Sequence, residues 1–425
     1  MAERLLEDSL LHKIVRLIFI DDPPLQCEAS AVVLAVLAHR SLRVPMLEAD
    51  LKELREKEEK TETTHAKIGG GGSLLQAIEF MLKSDSEDNH IAAANILFIF
   101  AAHDVAVRSV LAKSDIVVER AVSLSRSSEL KLRQSLIKLT AYLCLDQTAV
   151  DKAWKYNLQD VLLELLQDPD LHTLTHALMA LGNATRTDED SIRVRELSEQ
   201  TALVDFICDL AWTRPEHGLQ HLVCGILTNL ATPQKSHASL LNKTEIMLEF
   251  LVEMCARGTL HARFLAASCL RKLSSNSVNA AKIVKARALP PLIQMAREPK
   301  MIVDEPHHAS VDRRGRTMYL HWQAGRAIAA FTKSEEVHLE IFQEGGIFAL
   351  VQLCQSQVSL LCREGASSLA FIAEVKCEPE VLLQMAEEGA IDVLQGLAED
   401  DDDSTGSEAI RALSSLLNFD NAWAD

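Results

Sequence analysis

Bulky apolar residues recur along this chain in a fixed order, and the clearest copy runs from His221 to Thr232. In that copy, apolar residues stand two positions before and one position after Asn229, which we call the index residue. Alignment on this layout gives nine copies, with the index residues Val36, Ile99, Ala141, Asn183, Asn229, Lys272, Ala330, Phe371 and Ser415. Most successive copies are 41 to 46 residues apart, a period typical of stacked units of two or three helices.

The residue six positions before the index residue is small in nearly every copy, as at Ala93, Ala177 and Ala266. Small residues at that point let neighbouring helices approach closely. From residue 105 onward each copy divides into a short helix, a medium helix and a long third helix that carries the index residue. The middle helices are predicted to begin at Leu203, Ile246, Leu289, Ile347 and Ile391. Glycine turns precede the last two, where they permit the backbone to reverse between helices.

Two interruptions lengthen the spacing between copies. The first is a densely charged stretch that ends in four glycines, and the second is a loop that interrupts a later repeat. The predicted segments are an incomplete capping repeat at 1–40, a charged helix and glycine-rich linker at 41–72, repeats at 73–297, a loop insertion at 298–316 and C-terminal repeats at 317–425, all within one superhelix at 1–425.

Three features together resemble armadillo repeats: the Glu-Gly-Gly-Ile and Glu-Gly-Ala-Ile turns, the leucine-rich middle helix, and third helices that end as Ala177 to Ala184 does. The resemblance covers nearly the whole chain apart from the two insertions. It implies an all-α, right-handed solenoid of about nine armadillo-type repeats, the first one incomplete. It further implies that the third helices line a concave groove, where such proteins typically bind extended peptides or other proteins.

In peptide-binding armadillo proteins, asparagines at the index position hold the backbone of the bound peptide, because an amide side chain both donates and accepts hydrogen bonds. Here only Asn183 and Asn229 match that pattern. The tryptophans of importin-like members, four residues earlier, are replaced by Met179 and Gly225. A receptor for basic import signals is therefore not expected. Local hydrogen bonding by asparagines at a helix end is an equally good interpretation of this pair.

Helical phasing predicts which other side chains share the face of the index residue. The N-terminal half of the groove is predicted to present Ile99, Asn95, Ile137, Arg133, Met179 and His176. The C-terminal half is predicted to present Lys272, Tyr319, Trp322, Arg326, Arg363, Phe371 and Arg411. Four cations and three aromatic rings on one face of a chain with net charge −18 favour an acidic or carboxylate-bearing partner.

A second interpretation of that strip has equal weight. In it, Tyr319 and Trp322 pack between repeats, and the arginines pair with Glu364 and Glu408. The strip would then stabilise the solenoid rather than recognise a partner.

Composition narrows the class of protein. The chain is 48% hydrophobic but only 4% aromatic, which suits many amphipathic helices. Its acidic balance argues against a nucleic-acid partner. The nine cysteines show no Cys-x-x-Cys spacing, so we predict small buried hydrophobes in a reducing compartment. No secretory signal or membrane span is evident, and a cytoplasmic location is expected, with a nuclear one as alternative.

No residue pattern supports catalysis or a cofactor. The glycine run at 69–72 lacks the Lys-Ser/Thr ending of a phosphate loop, and adjacent His307 and His308 lack the spacing of metal ligands. The expected function is a non-enzymatic interaction scaffold or adaptor that binds a protein segment in the groove. The alternative is a regulatory module of an enzyme, chaperone or small GTPase that senses a small anionic ligand.

Overall fold

The computed structural model describes residues 10–38, 74–186, 191–215, 218–244, 246–298, 319–374, 379–399 and 402–422. Within these ranges the regular secondary structure is helical and no β-strand occurs, which confirms the predicted all-α class. Among the same residues, no helix combines the length and the apolar character that crossing a bilayer requires. The charged insertion at 41–72 and almost all of the loop insertion at 298–316 lie outside the described residues.

The chain divides into two compact units, which we call the N-unit, Met1–Ala184, and the C-unit, Thr185–Asp425. The helices of the N-unit are α1 Leu10–Leu17, α2 Pro23–Leu37, α3 Leu74–Lys83, α4 Glu87–His103, α5 Val105–Lys113, α6 Asp115–Ser123, α7 Leu130–Leu143, α8 Gln147–Lys155, α9 Leu158–Leu165 and α10 Leu171–Ala184. The third helices α2, α4, α7 and α10 pack against one another in chain order. The N-unit is therefore a stack of repeats.

The C-unit contains five complete three-helix repeats in its described part. Its helices are α11 Ile192–Glu199, α12 Thr201–Thr213, α13 Gln220–Leu230, α14 His237–Asn242, α15 Met247–Arg257, α16 Leu260–Leu273, α17 Ser277–Lys285, α18 Leu289–Arg297, α19 Leu320–Phe331, α20 His338–Gln343, α21 Ile347–Cys354, α22 Ser359–Glu374, α23 Pro379–Glu387, α24 Ala390–Ala398 and α25 Asp403–Ala422. The third helices α13, α16, α19, α22 and α25 again pack in chain order. The middle helices begin within two residues of their predicted starts.

Small residues bring the helices together, as the sequence predicts. Ala177, Ala266 and Ala324 are fully buried. At the equivalent Gly365 in α22, an added Cβ would lie 2.7 Å from the Cys354 Sγ of α21. Since real Cβ atoms do not approach other atoms so closely, only glycine permits this packing.

Buried histidines cap the ends of two third helices. The His237 Nε2 lies 2.9 Å from the Ala231 carbonyl oxygen, and the His338 Nε2 lies 2.7 Å from that of Thr332. Both acceptors stand two residues after an index position, at the end of α13 and of α19. The last carbonyls of a helix have no partner within it, so these imidazoles satisfy groups that burial would otherwise leave unpaired.

The register of α7 differs from the predicted one by a residue. Ala141 and Ile137, which the alignment places on the groove, are fully buried, so both assignments are wrong. Tyr142 is partly exposed in place of Ala141. The cause is Thr140, which is 2% exposed and donates its hydroxyl to the Ala121 carbonyl oxygen at 3.1 Å. A polar residue in an apolar position shifted an alignment that relied on apolar residues alone.

Candidate functional site

Each unit presents a surface formed by the partly exposed residues of its successive third helices. We call these surfaces the N-face and the C-face. The N-face comprises Phe98, Lys138, Tyr142, His172, His176, Met179 and Asn183. The C-face comprises Asn229, Arg271, Lys272, Tyr319, Trp322, Arg326, Arg363, Phe371 and Arg411. Of the fifteen residues predicted to line the groove, these two faces include eleven and leave out Asn95, Ile99, Arg133 and Ile137.

The N-face is organised around the ring of Phe98 on α4. The Lys138 Nζ of α7 lies 3.8 Å from the ring centroid, a cation–π contact, and the Tyr142 ring meets Phe98 edge-on at 5.0 Å. Burial lowers the pKa of Lys138. The sequence did not reveal this cluster, because the one-residue error in α7 pointed to Ile137 in place of Lys138. The signal that could have found it is the run Lys131, Lys138 and Tyr142 at helical spacing.

Two histidines on α10 continue the N-face. The rings of His172 and His176 lie 4.2 Å apart, and the His176 Nδ1 lies 2.8 Å from the His172 carbonyl oxygen. Burial lowers the pKa of His176 to about 4, and the charges of His172 and Lys138 add to that effect. Both imidazoles are therefore neutral at physiological pH. Met179 lies one turn further on and is partly exposed.

The index residues Asn183 and Lys272 tie their helices to the preceding repeat. The Asn183 Nδ2 donates to the Ala141 carbonyl oxygen at 2.8 Å. The Lys272 Nζ donates to the Thr228 carbonyl oxygen at 3.0 Å. Each acceptor is among the last four carbonyls of a third helix, which have no partner within the helix.

The other index asparagine also reaches back along its unit. The Asn229 Nδ2 lies 3.4 Å from the Thr185 Oγ1, a long hydrogen bond. Both asparagines thus contact an adjacent segment of the chain. An amide side chain also has a second N–H and an oxygen, so one such bond does not by itself prevent contact with a peptide backbone.

Two of the four arginines of the C-face have carboxylate partners among the described residues. Arg326 forms a bidentate pair with Glu364, at 2.7 Å from Nε and 2.8 Å from the second nitrogen. Arg411 pairs with Glu374 at 3.1 Å and with Glu408 at 3.0 Å. These contacts agree with the second interpretation of the strip for both arginines.

Arg363 is more open to solvent. It is exposed, and it donates to the Ser404 Oγ at 3.4 Å. Its guanidinium is thus the most accessible cation of the predicted strip.

The aromatic residues of the C-face form two patches. The rings of Tyr319 and Trp322 meet edge-on at 4.5 Å, and both side chains are partly exposed. Phe371 is 39% exposed, and the Arg411 guanidinium lies 5.0 Å from its ring centroid. Aromatic surface beside an arginine is typical of the centres of protein interfaces.

Arg271 on α16 is a C-face residue that the sequence did not reveal. Its Nε is buried and, in the described part of the chain, has no hydrogen-bond partner. Burial, and to a smaller extent the Arg326 charge, lower the pKa of Arg271 to about 10 against the opposing effect of the Glu364 carboxylate. The sequence signal is an arginine one position before the index residue, where other copies have the smaller Gly182, Thr228 and Ala329.

The cysteines of the C-unit lie in the core. Cys208, Cys224, Cys255 and Cys269 are fully buried, and burial raises the pKa of each thiol. They are not disulfide-bonded. Over the described ranges, no three His, Cys, Asp or Glu side chains come together in a way that could hold a metal ion.

No protein-family model and no curated protein matches this chain. Among solved structures, an engineered protein from a structural genomics consortium is 18% identical with a TM-score of 0.71, over 96% of this chain and 98% of that one. A designed armadillo repeat protein is 16% identical with a TM-score of 0.40, over 70% of this chain and 99% of that one. At these identities the similarity concerns the fold alone. The repeated short, medium and long helices, together with the similarity to the engineered protein, confirm the predicted fold of stacked helical repeats.

Proposed function

We propose that this protein is a non-enzymatic interaction scaffold, and that a segment of a partner protein binds to the C-face. The observation that carries this proposal is the partly exposed aromatic and cationic surface on consecutive third helices of the C-unit. Such a surface supplies the rigid aromatic anchors and the guanidinium groups that are enriched at interfaces. The armadillo-like fold supports the same function by analogy.

The C-face favours an acidic segment in an extended or helical conformation. Exposed Arg363 and half-exposed Arg411 offer charge to such a segment, and Phe371 and Trp322 offer apolar contact. Because the chain carries a net charge of −18, a cationic surface is a local feature that distinguishes this face.

The test is a charge reversal on the C-face. Partners would be captured from extract with the full chain, identified by mass spectrometry, purified, and titrated by calorimetry against the Arg363→Glu, Arg411→Glu double variant. We expect the double variant to lose at least about tenfold in affinity, which corresponds to about 1.4 kcal/mol. The matched control is Arg257→Glu with Lys285→Glu, two exposed cations of the C-unit outside its third helices. Equal affinity of the two double variants would contradict the proposal.

A further inference from the structure

Three half-buried side chains of the C-unit, Arg271, Arg326 and Glu364, carry two positive charges and one negative charge. Arg326 and Glu364 neutralise each other through two hydrogen bonds. Arg271 interacts electrostatically with both, yet its buried Nε has no hydrogen-bond partner among the described residues. A buried N–H of a charged group costs free energy when it makes no hydrogen bond. The acceptor for the Arg271 Nε is missing from this cluster.

Other cations on the same helix do have hydrogen-bond acceptors. Lys272, the next residue along α16, donates to the Thr228 carbonyl oxygen and to the Thr232 Oγ1 of the preceding repeat. Arg263, on the same helix, forms a bidentate pair with Glu298. Among these cations of α16, Arg271 is the one with a buried nitrogen that has no hydrogen-bond partner among the described residues.

We propose that Arg271 and Arg326 form a receptor site for one carboxylate of a partner, the side chain of an Asp or Glu in the bound segment. This inference rests on the proposed function, and it names the chemistry that the C-face recognises. Two guanidinium groups share one carboxylate here, so an incoming carboxylate supplies the second negative charge, and guanidinium groups bind carboxylates with two parallel hydrogen bonds. Trp322, one turn before Arg326 on α19, provides partly exposed aromatic surface for the residue next to the acid.

Glu364 has a second role in this arrangement. Its carboxylate already occupies Arg326, so it competes with the carboxylate of a partner for the same guanidinium. Removal of its charge should therefore strengthen the binding of an acidic segment. A merely structural ion pair would not improve binding when it is broken, and this sign difference separates the two roles.

The experiment begins with a phage-displayed library of random dodecapeptides, selected on the wild-type full chain and on Arg271→Gln. The selected peptides are then synthesised with a fluorophore, each with a matched version in which Glu or Asp is replaced by Gln or Asn. Fluorescence anisotropy measures both versions against wild type, Arg271→Gln, Glu364→Gln and the control Arg257→Gln, whose side chain is 81% exposed on α15. Thermal melting of each variant confirms that it is folded.

We expect the peptides selected on wild type to share an Asp or Glu at one position. The acidic peptide should bind about tenfold more tightly than its amide version. Arg271→Gln should abolish that discrimination, Glu364→Gln should increase affinity for the acidic peptide about threefold or more, and Arg257→Gln should change neither. Unchanged discrimination in Arg271→Gln, or no gain in Glu364→Gln, overturns the inference. Peptides that bind the C-face without an acidic position overturn it too but leave the proposed function standing. The same peptides are also titrated against the Arg363→Glu, Arg411→Glu double variant, and if all of them bind it as tightly as wild type, the proposed function itself fails.

Discussion

On the N-face the Lys138 ammonium makes a cation–π contact with the ring of Phe98, whereas on the C-face the Arg326 guanidinium forms an ion pair with Glu364. An aromatic ring does not neutralise a cation, but its electron-rich face attracts the cation and offsets part of the free-energy cost of removing it from water. A carboxylate cancels the charge and fixes the geometry through two hydrogen bonds. The carboxylates of the C-face pair with Arg326 and Arg411, while the buried Nε of Arg271 has no hydrogen-bond partner among the described residues. Two faces built from the same repeat can therefore differ in what they recognise.

The strongest way to break this comparison is Glu364→Ala. This change removes the Glu364 carboxylate and leaves the half-buried charges of Arg326 and Arg271, which repel each other, without compensation. We expect the free energy of unfolding to fall by about 2 kcal/mol, measured by urea denaturation. Adding Arg326→Met to the variant should recover part of the loss, because it removes the repulsion. A loss below about 0.5 kcal/mol would mean that the pair contributes little.

Acidification should act on the N-face through His176. Its folded pKa of about 4 lies below the ordinary value of 6.5, so the folded state binds fewer protons than the unfolded state does. The stability from this group is present above pH 6.5 and is lost as the pH falls toward 4. Between pH 7 and pH 5 we expect wild type to lose about 1.5 kcal/mol more than His176→Gln, by urea denaturation at each pH. Parallel losses in both proteins would place the sensitivity in other groups.

The tie from Asn183 gives a smaller effect. Asn183→Ala removes the hydrogen bond to the Ala141 carbonyl oxygen and should cost about 1 kcal/mol. Asn95→Ala is the matched control, since Asn95 is also partly exposed on a third helix of the N-unit. We expect the control to stay within about 0.5 kcal/mol of wild type. If Asn183→Ala weakens partner binding with no loss of stability, the asparagine acts on the partner and not on the repeat.

Lys138→Met sharpens the comparison with the least change in stability. Loss of the cation–π contact with Phe98 should cost about 0.5 kcal/mol. The Lys138 charge lowers the pKa of His172 and His176, so its removal should raise both pKa values in an NMR titration. Lys131→Met, an exposed lysine on the same helix, should leave both titrations unchanged. Histidine titrations that coincide in the two variants would refute the coupling.

Periodicity was sufficient to predict the helical repeats. The middle helices that begin at Leu289 and Ile347 were predicted to the residue from apolar spacing, which a glycine turn supports at Ile347. Thr140 marks where the method fails. Its hydroxyl is buried through a hydrogen bond to a neighbouring helix, and a pattern of apolar residues does not detect such a partner.

The sequence predicted which residues form the candidate site but not which of its arginines are in ion pairs. Helical phasing predicts Arg326 and Arg411 on one face, and both are partly exposed residues of third helices in the C-unit. Whether each arginine is paired depends on side chains from the next third helix, such as Glu364, and the sequence offered both outcomes. Arg271 escaped prediction because its significance lies in a missing acceptor, which only the packed arrangement of three helices reveals.

Asn183 ties its helix to a main-chain oxygen of the preceding repeat, and Lys272, besides its bond with the Thr232 hydroxyl, ties its helix to another such oxygen. Every residue type offers such an oxygen, so the tie places no demand on the identity of the amino acid in the neighbouring copy. One repeat can consequently change its outward side chains without loosening the joint to the next. This independence is what would let a row of similar copies acquire different specificities one copy at a time.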